Sequence, residues 1–175
     1  MQIKDKEFEI YLTSQVIQDR IKGLADQINI DYQGKRPLMI AVLNGAFMFA
    51  ADLMKSLSGE VEISFVKIAS YQATQSTGKL DHLLGLQENV KDRDIILIED
   101  IVDTGLTMSE LITNILAQKP ASLAVATLLW KKEALQKPMK LQYVGFEIPN
   151  KFVVGYGLDY DGLGRNLADI YQLKE

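Results

Sequence analysis

The sequence predicts an α/β fold in which a mainly parallel sheet is flanked by helices. Short apolar runs of strand length alternate along the chain with longer segments whose apolar residues recur at helical spacing. The strand-length runs are continuously apolar, which is typical of parallel strands covered on both faces. The chain has 175 residues, 47% of them hydrophobic, and its Gly and Pro residues are scattered. We therefore expect one domain over residues 1–175.

The first half of the sheet is predicted from two helix patterns and two strand patterns. Thr13 and Ser14 supply an N-cap for a helix whose apolar positions are Val16, Ile17, Ile21, Leu24, Ala25 and Ile28. The turn-like sequence DYQGKRP ends this helix, and LMIAVL (Leu38–Leu43) follows as a strand. After a break at NGA, FMFAADLMKSL resumes helical spacing as far as Ser58, and VEISFVKI is the next strand.

The second half repeats the alternation. DIILI (residues 94–98) is predicted as a buried strand, residues 107–118 as a helix stopped by Pro120, and SLAVATLLW and YVGFEI as further strands. Residues 70–85, SYQATQSTGKLDHLLG, follow neither pattern, and so long a loop inside a compact domain indicates either a lid or a disordered insertion. Ligands of such sheets lie beyond the carboxyl ends of the strands, so functional residues are expected there.

Composition excludes several kinds of partner and site. With 19 basic and 23 acidic residues the net charge is -4, so we expect neither nucleic acid nor a membrane surface as a partner. The chain has no Cys and one His, which excludes disulfides and sites of several imidazoles, so any metal must be bound by oxygen. We see no signal peptide and no long apolar stretch, and we expect a cytoplasmic protein.

The most informative segment is IILIEDIVDTGLT, residues 95–107, in which an apolar strand leads into acids and then into small hydroxyl residues. The residues after the strand are Glu99, Asp100, Asp103, Thr104, Gly105, Leu106 and Thr107. Backbone NH groups and Thr hydroxyls at a helix start form a phosphate cradle, and carboxylates beside it require sugar hydroxyls or magnesium. Taken alone, the segment also fits two helix-capping residues and two solvated acids.

This segment resembles the signature with which type I phosphoribosyltransferases bind phosphoribosyl diphosphate (PRPP). Three further motifs follow the order of that family over about residues 38–165. LNGAF (residues 43–47) resembles its diphosphate loop, SYQATQSTG its mobile catalytic loop with Ser70 and Tyr71, and VGFEIPNKFVVGYGLDY its base-binding hood. On these motifs the chain is identified as a member of the hypoxanthine-guanine phosphoribosyltransferases.

The resemblance implies a fold and a reaction. The fold is the type I phosphoribosyltransferase fold, with a mobile loop at about residues 70–85 and a small C-terminal hood at about residues 144–175. The implied reaction is purine salvage: the phosphoribosyl group of PRPP passes to hypoxanthine or guanine through an oxocarbenium-like transition state, giving IMP or GMP and diphosphate. The cofactor is Mg²⁺, which Mn²⁺ could replace, and a homodimer or homotetramer is expected.

It also implies roles for individual residues. Asp103 is the proton acceptor near purine N7, and Thr104, Gly105, Leu106 and Thr107 hold the 5′-phosphate. Glu99 and Asp100 lie on the ribose hydroxyls and on the metal, while Asp159 lies beside the base and a second magnesium. The residues on the diphosphate are Leu43, Asn44, Gly45 and Arg165.

The base is expected among side chains from three parts of the chain. Lys131 matches the family lysine that donates to the 6-oxo group, although its neighbour Lys132 leaves a surface lysine as the alternative. Phe152 matches the aromatic residue that stacks on the base, Ile101 covers the other face, and Val153 meets the base through its backbone.

The diphosphate loop departs from the family at one position. Asn44 stands where the family usually has Lys or Arg, so that side chain offers hydrogen bonds without a charge. The peptide bond at this position is often cis in the family, and we expect the same for Leu43 and Asn44.

Other functions are alternatives to this one. A PRPP-sensing regulator of the same fold would need a basic face or a DNA-binding domain. A phosphoacceptor signalling domain would cluster acids in the same way without the Thr-Gly-x-Thr cradle. A xanthine-preferring or adenine-using enzyme is a closer alternative, and Lys131 opposes adenine because its 6-amino group is itself a donor.

Overall fold

The computed structural model describes residues 1–68, 83–84, 86 and 88–174. Its three helices are α1 (Ser14–Asp31), α2 (Phe47–Ser56) and α3 (Leu106–Ala117). Its strands are β1 (Gln2–Ile3), β2 (Lys6–Leu12), β3 (Leu38–Leu43), β4 (Glu62–Ile68), β5 (Leu83–Leu84), β6 (Asp94–Val102), β7 (Ser122–Trp130), β8 (Tyr143–Glu147), β9 (Val153–Val154) and β10 (Ile170–Leu173). A short 3₁₀ turn, Lys132–Ala134, follows β7. Ser70, Tyr71 and His82 lie outside the described residues.

The larger sheet has the order β5-β4-β3-β6-β7-β8. Strands β4, β3, β6, β7 and β8 are parallel, and the short β5 adds an antiparallel edge beside β4. This arrangement confirms the predicted α/β fold with a mainly parallel sheet.

Apolar side chains cover both faces of this sheet. Met39 and Ala41 of β3 pack with α1 and α2 on one face, whereas Leu38 and Ile40 pack with α3 on the other. Because successive residues of a strand point to opposite faces, the continuous apolar run LMIAVL fills two cores at once. The described helices include none that is long and apolar enough to cross a membrane.

The predicted end of one strand is wrong. Strand β6 does not stop at Ile98 but continues to Val102, so Glu99, Asp100 and Ile101 lie within it. The reason is its neighbour β7, whose parallel pairing continues as far as Trp130. Glu99 and Asp100, which sequence analysis placed after the strand, are therefore held by a sheet, whereas Asp103 follows it.

A second, smaller sheet has the order β1-β2-β10-β9, and we call it the hood sheet. Its core consists of Ile3, Phe8 and Val154. Sequence analysis did not predict its N-terminal strands, β1 and β2. The resemblance placed the hood at about residues 144–175, but the first part of that segment, β8, belongs to the larger sheet.

Candidate active site at the carboxyl ends of the central strands

The end of β6 places two carboxylates next to each other. The backbone NH of Asp100 donates to Oε1 of Glu99 at 3.2 Å, and the NH of Ile101 donates to Oδ1 of Asp100 at 2.8 Å. Burial, and then the charge of Asp100, raise the pKa of Glu99 well above its ordinary value. Two acids so placed favour a bound cation, which would relieve their repulsion.

The loop after β3 lies directly against Asp100. A Cβ atom at Gly45 would overlap the Asp100 carboxylate, and a Cβ atom at Gly157 would overlap the carbonyl oxygen of Gly45. Glycine at both positions therefore allows the loop at residues 43–45 to fit between β6 and the C-terminal turn. The peptide bond between Leu43 and Asn44 is cis, as expected.

Arg165 and Asp159 meet beside the same turn. Nη2 of Arg165 lies 2.6 Å from Oδ1 of Asp159, and Nη1 donates to the carbonyl oxygen of Gly157 at 2.7 Å. The backbone NH of Gly162 donates to the other Asp159 oxygen at 2.7 Å. Gly157 thus brings the loop at residues 43–45 close to Arg165, and these are the residues predicted to bind diphosphate.

The start of α3 has the geometry expected of a phosphate cradle. Gly105, with φ 76°, occupies the N-cap position and has no side chain with which to cap the helix. The Oγ1 atom of Thr104 lies 3.5 Å from the NH of Leu106. A single cleft is lined by Glu99, Ile101, Val102, Asp103, Thr104, Gly105, Thr107 and Met108. The capping alternative is met in part, because Thr104 accepts a hydrogen bond from the first NH of α3, whereas the N-cap residue is Gly105 and not Asp103.

Lys131 lies beside Asp103 at the end of β7. Its Nζ atom is 2.9 Å from Oδ2 of Asp103, and the Lys131 side chain is only 9% exposed while that of Asp103 is 44% exposed. The neighbouring Lys132 side chain is 59% exposed and lies 3.8 Å from Glu147. The structure thus distinguishes the two lysines: the one at the cleft is Lys131.

Phe152 lies on the hood sheet with its side chain partly open to solvent. Its ring centroid is 6.2 Å from that of Phe8 and 5.7 Å from that of Tyr160, and the Nζ atom of Lys6 lies 5.5 Å from the Phe152 centroid. Val153 is buried and pairs with Gln172. Phe8 and Lys6 were missed by sequence analysis, although the alternation in KEFEIYL could have indicated a strand there.

Comparison with known proteins shows the family to which the chain belongs. Residues 8–161 match the family model described as phosphoribosyl transferase domain. The chain belongs to the phosphoribosyltransferase family. It is 42% identical over 168 residues to the hypoxanthine-guanine phosphoribosyltransferase of Mycobacterium tuberculosis, covering 92% of this chain and 83% of the relative. It is 43% identical over 162 residues to the hypoxanthine-guanine-xanthine phosphoribosyltransferase of Tritrichomonas foetus, covering 91% of this chain and 87% of the relative.

Solved structures place the chain in the same part of the phosphoribosyltransferase family. A hypoxanthine phosphoribosyltransferase of Trypanosoma cruzi has a TM-score of 0.89 at 37% identity, over 99% of this chain and 95% of that one. A hypoxanthine-guanine phosphoribosyltransferase of Bacillus anthracis has a TM-score of 0.85 at 35% identity, over 97% of this chain and 99% of that one.

The acids of this phosphoribosyltransferase also fit a hard cation. The described residues contain no group of three or more acids or imidazoles able to hold a metal by themselves. Mg²⁺ does not need such a group, because it keeps several waters and binds one or two carboxylates together with substrate oxygens. Glu99 and Asp100 fit that requirement, and Asp159, paired with Arg165, offers another carboxylate.

Proposed function

We propose that this protein is a magnesium-dependent hypoxanthine-guanine phosphoribosyltransferase of purine salvage. It would join hypoxanthine or guanine to PRPP and release IMP or GMP with diphosphate. The observation that carries the proposal is the Lys131–Asp103 pair, in which a cation and a carboxylate lie 2.9 Å apart. This pair lines the end of β6, the strand that also bears Glu99 and Asp100.

The pair complements one edge of a 6-oxopurine. O6 and N7 are neighbours on the same edge of guanine, and both are acceptors when the base is joined through N9. Lys131 donates to O6, and Asp103 accepts the proton that a free base carries on N7. Adenine presents a 6-amino donor in place of O6, so its amino group would face the Lys131 ammonium. Phe152, Ile101 and the backbone of Val153 enclose the ring.

PRPP would lie across the cleft at the start of α3. The helix start binds the 5′-phosphate through backbone NH groups and the hydroxyls of Thr104 and Thr107. Glu99 and Asp100 accept hydrogen bonds from the ribose hydroxyls. The loop formed by Leu43, Asn44 and Gly45 binds the diphosphate together with Arg165.

The metal requirement follows from the leaving group. When bound, Mg²⁺ or Mn²⁺ supplies positive charge that stabilises the departing diphosphate. The chain contributes Glu99 and Asp100 to one metal site and Asp159 to another. Oxygen ligands suit such hard cations.

The reaction then needs one proton transfer within the protein. N9 of the base bonds to C1′ of the ribose while the bond from C1′ to the diphosphate oxygen breaks. The carboxylates beside the ring stabilise the positive charge that develops on the sugar. Asp103 takes the N7 proton, and the two electrons of that N–H bond remain on the ring. Ser70 and Tyr71 are proposed to close over the site and exclude water.

An assay of nucleotide formation tests the function. Purified protein is incubated with PRPP, Mg²⁺ and one of five bases: hypoxanthine, guanine, xanthine, adenine or uracil. We expect IMP and GMP, no product from adenine or uracil, and no product at all in excess EDTA. Faster nucleotide formation from xanthine than from hypoxanthine or guanine would identify a xanthine-preferring enzyme. A regulator would bind PRPP in calorimetry without turning over any base, and that result would refute the proposal.

The assembly is a further expectation. We propose a homodimer or homotetramer, and size-exclusion chromatography with light scattering measures the mass directly.

A further inference from the structure

The turn at residues 155–157 follows β9 of the hood sheet and contacts the diphosphate loop at residues 43–45, and its backbone is unusual. Gly155, Tyr156 and Gly157 all have positive φ, at 105°, 50° and 99°. Tyrosine rarely adopts this left-handed conformation, so the surroundings of Tyr156 must hold it there. Two backbone hydrogen bonds contribute to this. The NH of Tyr156 donates to the carbonyl oxygen of Leu167 at 2.8 Å, and the NH of Gly157 donates to the carbonyl oxygen of Arg165 at 2.9 Å.

A partly buried polar cluster around Tyr156 adds to this hold. Tyr156 is 2% exposed, and its hydroxyl donates to Oδ2 of Asp52 on α2 at 2.5 Å. Nε2 of Gln18 on α1 lies 2.5 Å from the same oxygen and 3.3 Å from the Tyr156 hydroxyl. Nζ of Lys55 lies 2.5 Å from the other Asp52 oxygen. Tyr156 thus connects the C-terminal turn to two helices of the core.

The directions of the pKa shifts of Tyr156 and Asp52 agree with a neutral Tyr156 hydroxyl that donates to an ionised Asp52 carboxylate. Burial, and then the hydrogen bond to Asp52, raise the pKa of Tyr156. Burial alone would raise the pKa of Asp52, but the hydrogen bonds from Lys55, Tyr156 and Gln18 outweigh it and lower that pKa.

Among the described residues, the contacts of this cluster lead towards the diphosphate side of the site. Gly157, the next residue, lies against the carbonyl oxygen of Gly45 in the diphosphate loop and accepts a hydrogen bond from Arg165. Val153, on the base side, is held instead by pairing with Gln172 in the hood sheet. Loosening Tyr156 should therefore disturb the diphosphate side and spare the base side.

We propose that Tyr156, hydrogen-bonded to Asp52 and Gln18, is a positioning residue that holds the diphosphate loop in register with Arg165. It thereby sets the affinity for PRPP and diphosphate without contacting either. The inference rests on the proposed function in one respect, the assignment of residues 43–45 to the diphosphate.

The test compares two buried tyrosines. Tyr143 is a matched control, because it is 4% exposed and its hydroxyl donates to Oδ2 of Asp31 at 2.8 Å. We expect Tyr156→Phe to raise the KM for PRPP by about tenfold, the scale of one hydrogen bond to a charged group. The KM for hypoxanthine should change by less than about twofold, as for distant independent sites. Tyr143→Phe should lower the Tm similarly and leave both constants unchanged.

Variants of Asp52 test the route of the effect. Asp52→Asn keeps an acceptor for the Tyr156 hydroxyl and should retain most of the PRPP affinity, whereas Asp52→Ala should behave like Tyr156→Phe. The double variant Tyr156→Phe/Asp52→Ala should be no weaker than either single variant, because both remove the same interaction.

The outcomes separate this inference from the proposed function. Calorimetry of PRPP binding with Mg²⁺ is run on every variant, so the comparison holds even if the wild-type protein turned over no base. Unchanged PRPP affinity in Tyr156→Phe, or an equal rise in the constants for PRPP and hypoxanthine, would overturn the positioning role. If Tyr156→Phe and Tyr143→Phe weakened PRPP affinity equally, the effect would be one of general stability, and the positioning role of Tyr156 would again be overturned.

Discussion

At the scale of single residues, the proposed chemistry depends on Asp103. Its carboxylate is partly exposed in the cleft and lies 2.9 Å from Lys131. Asp103→Asn keeps the shape and the hydrogen bond acceptor but removes the proton acceptor. We expect kcat to fall by about 10²-fold or more, the usual effect of losing a general base. PRPP affinity in calorimetry should be unchanged, and Asp26→Asn on the exposed face of α1 is the control. Wild-type turnover in Asp103→Asn would remove this residue from the chemistry.

Lys131 and Lys132 provide a matched pair. Lys131→Gln leaves an amide in place of a nearly buried ammonium, so the charged hydrogen bond to O6 is lost. We expect kcat/KM for hypoxanthine to fall by about tenfold to a hundredfold, as for a lost hydrogen bond to a charged group. Lys132→Gln removes a lysine of the same charge from an exposed position and should have no effect. The reverse result would show that Lys132 is the base-binding residue.

Glu99 should lower the stability of the folded protein at a pH at which its carboxyl ionises in the unfolded chain. Its pKa is raised in the folded protein, so its contribution to stability is present below its unfolded pKa and is lost as the pH rises through the folded value. In the absence of metal at pH 8, Glu99→Gln should therefore raise the Tm by about 2–4 °C, as expected for 1 kcal/mol in a chain of this size. The gain should vanish at acid pH, where Glu99 is protonated.

Melting curves at both pH values measure the effect of Glu99→Gln. Glu110→Gln on the exposed side of α3 is the control, and it should melt like the wild type. A lower Tm for Glu99→Gln at pH 8 would show that the Glu99 charge is compensated in the folded protein.

At the scale of elements, the site depends on how closely the loop after β3 approaches β6. Gly45→Ala places a methyl group on the Asp100 carboxylate and must displace one of them. We expect kcat/KM for PRPP to fall by about 10²-fold, the cost of a misplacement of about 1 Å in an active site.

Gly23 is the control for Gly45→Ala because a Cβ atom there meets nothing within 4 Å. Gly23→Ala lies within α1, where alanine is favoured over glycine by about 0.8–1 kcal/mol, so this variant should melt higher with unchanged kinetics. Full activity in Gly45→Ala would show that the loop and Asp100 do not need to touch.

The elements differ in how well the sequence predicts them. The strand LMIAVL was predicted at its observed bounds because its apolar run is unbroken and turn residues flank it. The end of β6 was predicted too early because the run of apolar residues stops at Glu99, while pairing with β7 continues. Strands β1 and β2 were missed because their charged residues face solvent and only Ile3 and Phe8 are buried there.

At the scale of the whole molecule, the candidate site joins segments that are far apart in the chain. The sequence could predict residues 99–107 as one site because they are contiguous and follow a strand. It could not place Lys131 beside Asp103, or Gly157 beside Gly45, because those contacts depend on the order of strands and on the docking of the hood sheet. For Lys131, Asp103 and Gly45 the resemblance supplied the expectation, whereas the role of Gly157 was not predicted and comes from the structure.

The central claim is that Lys131 and Asp103 together bind the O6 and N7 edge of the base and remove its N7 proton. The most direct measurement uses 7-deazahypoxanthine, in which carbon replaces N7 while O6 is retained. With PRPP and Mg²⁺ present, we predict that this analogue competes with hypoxanthine through its contact with Lys131 and that no nucleotide forms, because Asp103 has no N7 proton to accept. Formation of the deaza-nucleotide at a rate similar to that of IMP would contradict the account.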